Sequence, residues 1–268
     1  MPMAAAEYPK LACPFALRAG TDDEVVWHCV MEANEYRLPE RLEPHDVVID
    51  IGAHVGVFCH AALARGAGRV VGYEAEPGNY QRALANLAPW GDRVALHERA
   101  VWRSDQPADV VHFDASRDPN ATGGGNVFFS NSGPAVRAVA LDAIVRELTR
   151  PGERRIRFLK IDVETAEFPI LLTARTLRWV DEIVGEFHEA GGPHDPHTIP
   201  EWARVPGYER FTIEALSAHL RAWGFAVWSV RFPGTHLGLF FATRLGFKRW
   251  MRWRLEDAWR WVTRRPLR

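Results

Sequence analysis

The chain has 268 residues, of which 47% are hydrophobic, and 33 Lys and Arg stand against 34 Asp and Glu for a formal net charge of -1. That balance argues against a generally nucleic-acid-binding surface, and the length suits one large α/β domain with appendages. Cys13, Cys29 and Cys59 are scattered and odd in number, which disfavours a disulfide framework or a zinc knuckle and fits a reducing, cytoplasmic setting.

Residues 1–45 read as an N-terminal cap. Met1 to Gly20 lacks the basic and apolar regions of a signal peptide, and no apolar run in the chain reaches the ~18 residues needed to span a bilayer. Thr21 or Asp22 is placed to cap a short helix over Val25 to Met31, whose expected job is to cover a sheet.

The stretch from Asp46 to Val57 is the centre of the chain. Val47-Val48-Ile49 predicts a buried parallel strand, Asp50 closes it, and a glycine turn opens into a helix over Phe58 to Arg65. Gly52 permits a tight bend and close approach of a ligand; Gly56 lets the helix pack near the strand. Glu74, 22 residues after Gly52, ends a second apolar strand, where a carboxylate can accept both hydroxyls of a ribose. The spacing is G-x-x-x-G, with Ala53 and His54 inside it, and lacks the pyrophosphate cradle of G-x-G-x-x-G. It suits a nucleoside with an amino-acid tail, S-adenosylmethionine, better than a dinucleotide.

A helix over Gln81 to Ala88 is expected to bury Tyr80, Leu84 and Leu87. A third strand follows from Val94 through Val101, with Ala100 small enough for an adenine ring to lie nearby. Val110 to Phe113 and Val136 to Leu141 pair as a hairpin extension. The Gly-, Asn- and Ser-rich stretch between them, Asp114 to Pro134, predicts a lid in which Phe128 and Phe129 close over an apolar substrate. Further on come a helix over Asp142 to Leu148, a strand over Ile156 to Ile161, and a helix over Ala166 to Leu177 with Pro169 in its first turn. A strand over Ile183 to His188, a Pro/Gly/His-rich loop, a helix over Phe211 to Trp223 and two last strands complete the pattern. The expectation is a Rossmann-like α/β fold: a mostly parallel sheet of about seven strands with helices on both faces. Asp162, Glu186 and His188 then fall at strand ends, on the sheet edge where such folds bind ligands.

Four blocks together resemble the FkbM-family S-adenosylmethionine-dependent methyltransferases: Val48 to Gly56, Gly72 to Pro77, Leu159 to Glu167, and Glu186-Phe187-His188. The resemblance reaches upstream to Leu17 to Thr21 and Glu35-Tyr36, and covers roughly residues 15 to 245. Thr165 stands where that family usually has glycine, and Ala75 where it usually has proline. The resemblance implies a class I methyltransferase fold and methyl transfer to a hydroxyl oxygen of a small molecule or glycan. Around the cofactor it implies Asp50, Gly52, Ala53, His54, Gly56, Val57, Glu74, Ala75 and Ala100. His188 is the candidate base, since an imidazole titrates near neutrality, with Asp162 holding it or the cofactor's amino group and Glu186 alongside. No metal is expected. Glu186, His188, His194, Asp195 and His197 resemble a metal cluster in composition, but His-x-x-His on a Pro/Gly loop lacks the helical register of a zinc site. The alternatives are a nicotinamide-dependent oxidoreductase, disfavoured by the absent G-x-G-x-x-G, and a methyltransferase-like module that only binds.

Residues 46–244 form the expected catalytic domain and 245–268 a basic, Trp-rich helix with eight basic residues against two acidic ones. Phe247, Trp250, Met251, Ala258, Trp261 and Val262 share one helical face, with arginines mostly opposite. Residues 247–264 are therefore expected to pack on the domain or a second copy, or to touch the inner face of a membrane.

Overall fold

A computed structural model describes residues 15–115, 118–129, 132–149, 154–195 and 197–244. The C-terminal helix reading lies outside these residues. In chain order the elements are α1 (Asp22–Trp27), β1 (Val47–Ile51), α2 (Val57–Ala64), β2 (Arg69–Glu74), α3 (Pro77–Leu87) and β3 (Val94–Glu98). A small sheet is built from β4 (Ala100–Trp102), β5 (Val110–His112) and β6 (Ala135–Ala140). Then follow α4 (Leu141–Thr149), β7 (Phe158–Ile161), α5 (Glu167–Thr173), β8 (Glu182–His188), α6 (Ile213–Ala222), β9 (Ala226–Arg231) and β10 (Leu237–Thr243).

The main sheet has seven strands in the order β3-β2-β1-β7-β8-β10-β9. Its first five run parallel, while β10 lies antiparallel between β8 and β9. The expected α/β architecture is therefore observed. Val47, Ile49 and Ile51 enter the core on one face and Val48 the core on the other. A strand covered on both faces must be apolar at every position, which is why β1 reads as a continuous run. The chain winds outward from β1 to β3 and returns to β7 on the other side of β1. That reversal opens a crevice beyond the carboxyl ends of β1 and β7, the place where open α/β sheets bind ligands.

Several local expectations change. The predicted third strand divides at Arg99: its amide donates to the Glu74 carbonyl (2.9 Å), and β4 leaves the main sheet to pair with β6. Helix α3 begins earlier than expected because Glu76 caps it, its carboxylate accepting from the Gly78 and Asn79 amides. Its buried face is Asn79, Ala83, Asn86 and Leu87, and Leu84 is exposed. Small and amide side chains are preferred there because the helix packs close to the turn before α2. Helix α5 stops at Thr173, short of Leu177. The Asp142 carboxylate catches the Arg175 and Thr176 amides (2.9 and 3.1 Å), giving the backbone donors an alternative to another helical turn. Among the described residues no helix is long and apolar enough to cross a membrane.

Candidate active site

The turn after β1 is held by its own backbone. The amides of Gly52 and Ala53 both donate to the Tyr73 carbonyl on β2 (3.0 and 2.9 Å). Gly52 has φ +78°, and a Cβ there would sit 1.9 Å from the Asp162 carbonyl oxygen, so the two strand ends approach too closely for any other residue. Gly56 (φ +91°) leaves room for Leu87 of α3, as a Cβ would meet its Cδ1 at 2.8 Å. His54 also adopts a left-handed conformation (φ +52°), with its amide donating to Glu74 Oε2 (2.7 Å) and its Nε2 2.9 Å from the Thr122 hydroxyl.

Glu74 ends β2 with its carboxylate buried. Oε1 accepts from the Glu76 amide (2.9 Å), Oε2 from His54, and burial still pushes the carboxyl up to about 7. Both oxygens thus receive single backbone donors and retain lone pairs for further ones. Glu74 faces a cleft of about 500 Å³ at the strand-order reversal, together with Gly52, Ala53, His54, Ala75 and Ala100. Asp162, Glu186 and His188 line the same cleft. One cleft therefore holds most of the residues picked from sequence.

Three of the picked residues stand behind it. Asp50 is fully buried, and its carboxylate is engaged by Lys160 Nζ (3.3 Å) and the Cys59 thiol (3.2 Å). The countercharge of Asp50 is thus supplied from within the protein, by Lys160. Lys160 also donates to the Gly52 carbonyl (2.6 Å), which ties β7 to the turn. Burial opposes its charge, but Asp50 and Asp162 outweigh that and raise its pKa. Gly56 and Val57 are likewise absent from the lining, serving the packing of α2 against its neighbours.

At the far end of the cleft the polar groups gather. Tyr36 donates its hydroxyl to Asp162 Oδ2 (2.9 Å). His188 Nε2 lies 3.5 Å from Glu164 Oε2 and 3.9 Å from Glu186 Oε1, and Nδ1 lies 3.4 Å from Glu167 Oε1. Burial would lower the imidazole's pKa, but Glu167, Glu164 and Asp162 raise it well above its ordinary value. The surrounding carboxylates therefore favour the protonated form of this ring. Burial and the neighbouring Asp162 charge push the Glu186 carboxyl up to about 8, against the pull of His188. Glu164 is pushed up to about 7, also chiefly by burial. Glu164 and Thr165 both sit in left-handed backbone (φ +52° and +79°), strained for non-glycine residues and most of all for β-branched Thr165.

The residues weighed as a metal cluster separate: Asp195 and His197 line a second cavity along the 191–210 loop, away from Glu186 and His188, and His194 lines neither. Only part of the stretch expected to form a lid borders the cleft. Thr122 to Val127 line the cleft, and the Asn79 amide donates to the Thr122 carbonyl (2.9 Å). The two phenylalanines point elsewhere: Phe128 is fully buried against Phe211, and Phe129 packs near His197. Helix α1, expected from sequence to cover the sheet, also borders the cleft. Asp22, Val25 and Val26 form a wall of the cleft, anchored by Arg18, which pairs with Asp23 (2.8 Å) and donates to Asn79 Oδ1 (2.6 Å). Glu164 also lines the cleft, and its sequence signal is an acid two residues past Asp162 in a tight turn.

A family model described as the methyltransferase FkbM domain matches residues 50–230. A search of the curated proteins returned no match. Similar solved structures include a precorrin-6y C5,15-methyltransferase from Geobacter metallireducens, at 13% identity and TM-score 0.42 over 85% of this chain and 94% of that one. An rRNA methylase from Streptococcus thermophilus gives 10% and 0.42 over 81% and 96%. A SAM-dependent methyltransferase from Aquifex aeolicus gives 10% and 0.38 over 77% and 86%.

Proposed function

The chain belongs to the FkbM methyltransferase family, and from that premise we propose that it methylates a hydroxyl oxygen of a natural product, sugar or glycan. Family membership sets the oxidoreductase alternative aside. The cofactor, S-adenosylmethionine, supplies when bound a methyl group on a positively charged sulfur that is already activated for transfer. What remains for the chain is to hold the partners in line and to remove the acceptor's proton.

The cleft suits that cofactor. Glu74 keeps acceptor capacity for two ribose hydroxyls, Ala75 and Ala100 leave space for a flat base, and the Gly52-Ala53-His54 turn allows close approach of the backbone. Asp162, with Tyr36 on one oxygen, suits the amino group of the tail. Asp50, Gly56 and Val57 contribute by shaping the turn from behind.

The observation that carries the reading is that Glu186 and His188 share one cleft with Glu74 and the Gly52 turn. Of the two, Glu186 is the better base: with its pKa near 8 it is matched to a proton acceptor working close to neutral pH. His188, beside it in the cleft, orients the acceptor oxygen. Incubation with methyl-labelled S-adenosylmethionine and a panel of sugars, phenols and alcohols, with amines and RNA as controls, tests this. Label in a base-stable ether is expected, and label only in amine or RNA contradicts it. Glu186→Gln is expected to lower kcat about a hundredfold or more while leaving cofactor affinity within a few-fold.

The setting we favour is cytoplasmic, without a nucleic-acid partner, and residues 247–264 remain a proposed contact with a membrane surface or a second copy. Co-sedimentation with anionic vesicles at low salt separates these, comparing the full chain with one ending at Gly246. Pelleting of the full chain alone supports the membrane contact, and pelleting of neither form removes it.

A further inference from the structure

We propose that Asp162, Glu164 and His188 form a site for a divalent cation of the magnesium and manganese class at the acceptor end of the cleft. Each offers a donor atom, and the three atoms lie within 4.8 Å of one another. An octahedral shell with metal–oxygen distances near 2.1 Å puts neighbouring donors about 3.0 Å apart and opposite ones about 4.2 Å apart. Small side-chain rotations bring the three into that range, and water completes the shell of so small a cation.

The acidic residues alone would not make this case. The independent observation is His188, whose side chain is 7% exposed and whose ring is backed by a carboxylate on one nitrogen only, Nδ1 lying 3.4 Å from Glu167 Oε1. Nε2 points into the cluster, yet its contacts with Glu164 and Glu186 at 3.5 and 3.9 Å are longer than ordinary hydrogen bonds. Nδ1 faces Glu167, which the Val163 amide holds in place (2.6 Å). A carboxylate behind one ring nitrogen with the other aimed at a donor cluster is the arrangement that orients metal-ligating histidines. The nearest lysine offers no substitute, because Lys160 is committed to Asp50 and the Gly52 carbonyl and stays 4.0 Å from Asp162. Two carboxylates with one imidazole and no thiolate suit manganese and magnesium better than a soft metal. The cation takes the place of the imidazole's proton.

A cation there faces the acceptor and polarises its oxygen. That role rests on the proposed hydroxyl methylation, whereas binding itself does not. The test uses the full chain, stripped with chelator and titrated with manganese chloride, with free ion read by electron paramagnetic resonance. The wild type is expected to take up one ion per chain, Glu164→Gln and His188→Ala to bind at least tenfold more weakly, and Asp195→Asn, in the second cavity, to match the wild type. Should a variant lose its fold, by circular dichroism, wild-type stoichiometry together with the remaining variant decides. No uptake by the wild type, or equal uptake by the folded cleft variants, overturns the site. A thermal shift with S-adenosylhomocysteine in chelator is read in parallel. A shift without manganese uptake removes the cation and leaves methyl transfer standing; manganese uptake without ether formation does the reverse.

Discussion

Lys160→Met tests how the centre of the fold is held. The ammonium is buried 3.3 Å from Asp50 Oδ1, and Asp50 is fully buried. At an effective dielectric near 20 the attraction is about 5 kcal/mol before desolvation is counted. Removing the lysine strands Asp50, but the loss has a ceiling, because the carboxyl can protonate instead. From its ordinary value of 3.8, protonation at pH 7 costs about 4 kcal/mol, and at pH 5.5 about 2 kcal/mol. The variant should therefore be less stable than wild type by about 3–5 kcal/mol at pH 7, within reach of a domain with 5–15 kcal/mol in total. The sign follows from linkage: without its partner the folded-state pKa of Asp50 rises far above the unfolded value, so the deficit grows with rising pH and shrinks by about 2 kcal/mol on going down to pH 5.5. Urea denaturation at the two pH values measures both quantities. Asp50→Asn added to Lys160→Met should recover part of the loss, since no buried charge is left alone. A deficit under about 1 kcal/mol, or one independent of pH, would refute the account of Asp50 as a buried anion neutralised by Lys160.

Thr165→Gly should raise stability by about 1 kcal/mol, and Tm by about 2–3 °C, by relieving the left-handed strain at φ +79°. A lower Tm would mean that the packing of this buried side chain outweighs the strain. The ligand-free protein should lose stability as pH rises from 6.5 to 8.5. Glu164, Glu186 and Glu74, pushed up to about 7, 8 and 7, shed protons in that range that the unfolded chain has already lost, and His188 loses its raised-pKa contribution on the same side. His54 and His60, lowered to about 4, act in the opposite sense only below pH 6.5. Glu186→Gln should flatten the decline in Tm, and an unchanged slope would show that Glu186 does not titrate there.

Legibility in the sequence followed how local each feature is. Strand β1, the Gly52 turn and Glu74 are written in consecutive residues with fixed φ demands, and all stand where the pattern predicted. Thr212 caps α6 and Gly224 follows its end at φ +85°, as its residue types required. Contacts formed across the fold were not legible. Nothing near Asp50 in sequence shows that Lys160 reaches it from a neighbouring strand, or that Asp142 ends α5 early. The residue type of His188 suggests a base, whereas the carboxylates of α5, β8 and the turn after β7 that raise its pKa come together only in the fold. Phe128 looked like a lid residue because the loop is polar, yet tertiary packing buries it against Phe211.

In the proposed function, the cleft beyond the carboxyl ends of β1 and β7 holds the methyl donor through Glu74. Isothermal titration calorimetry with S-adenosylhomocysteine tests it without knowledge of the acceptor. Binding of one molecule per wild-type chain is predicted, weakened at least tenfold in Glu74→Ala, because hydrogen bonds to a charged acceptor are worth about 1.5–3 kcal/mol. No binding to the wild type, or equal affinity in a folded Glu74→Ala variant, would contradict it.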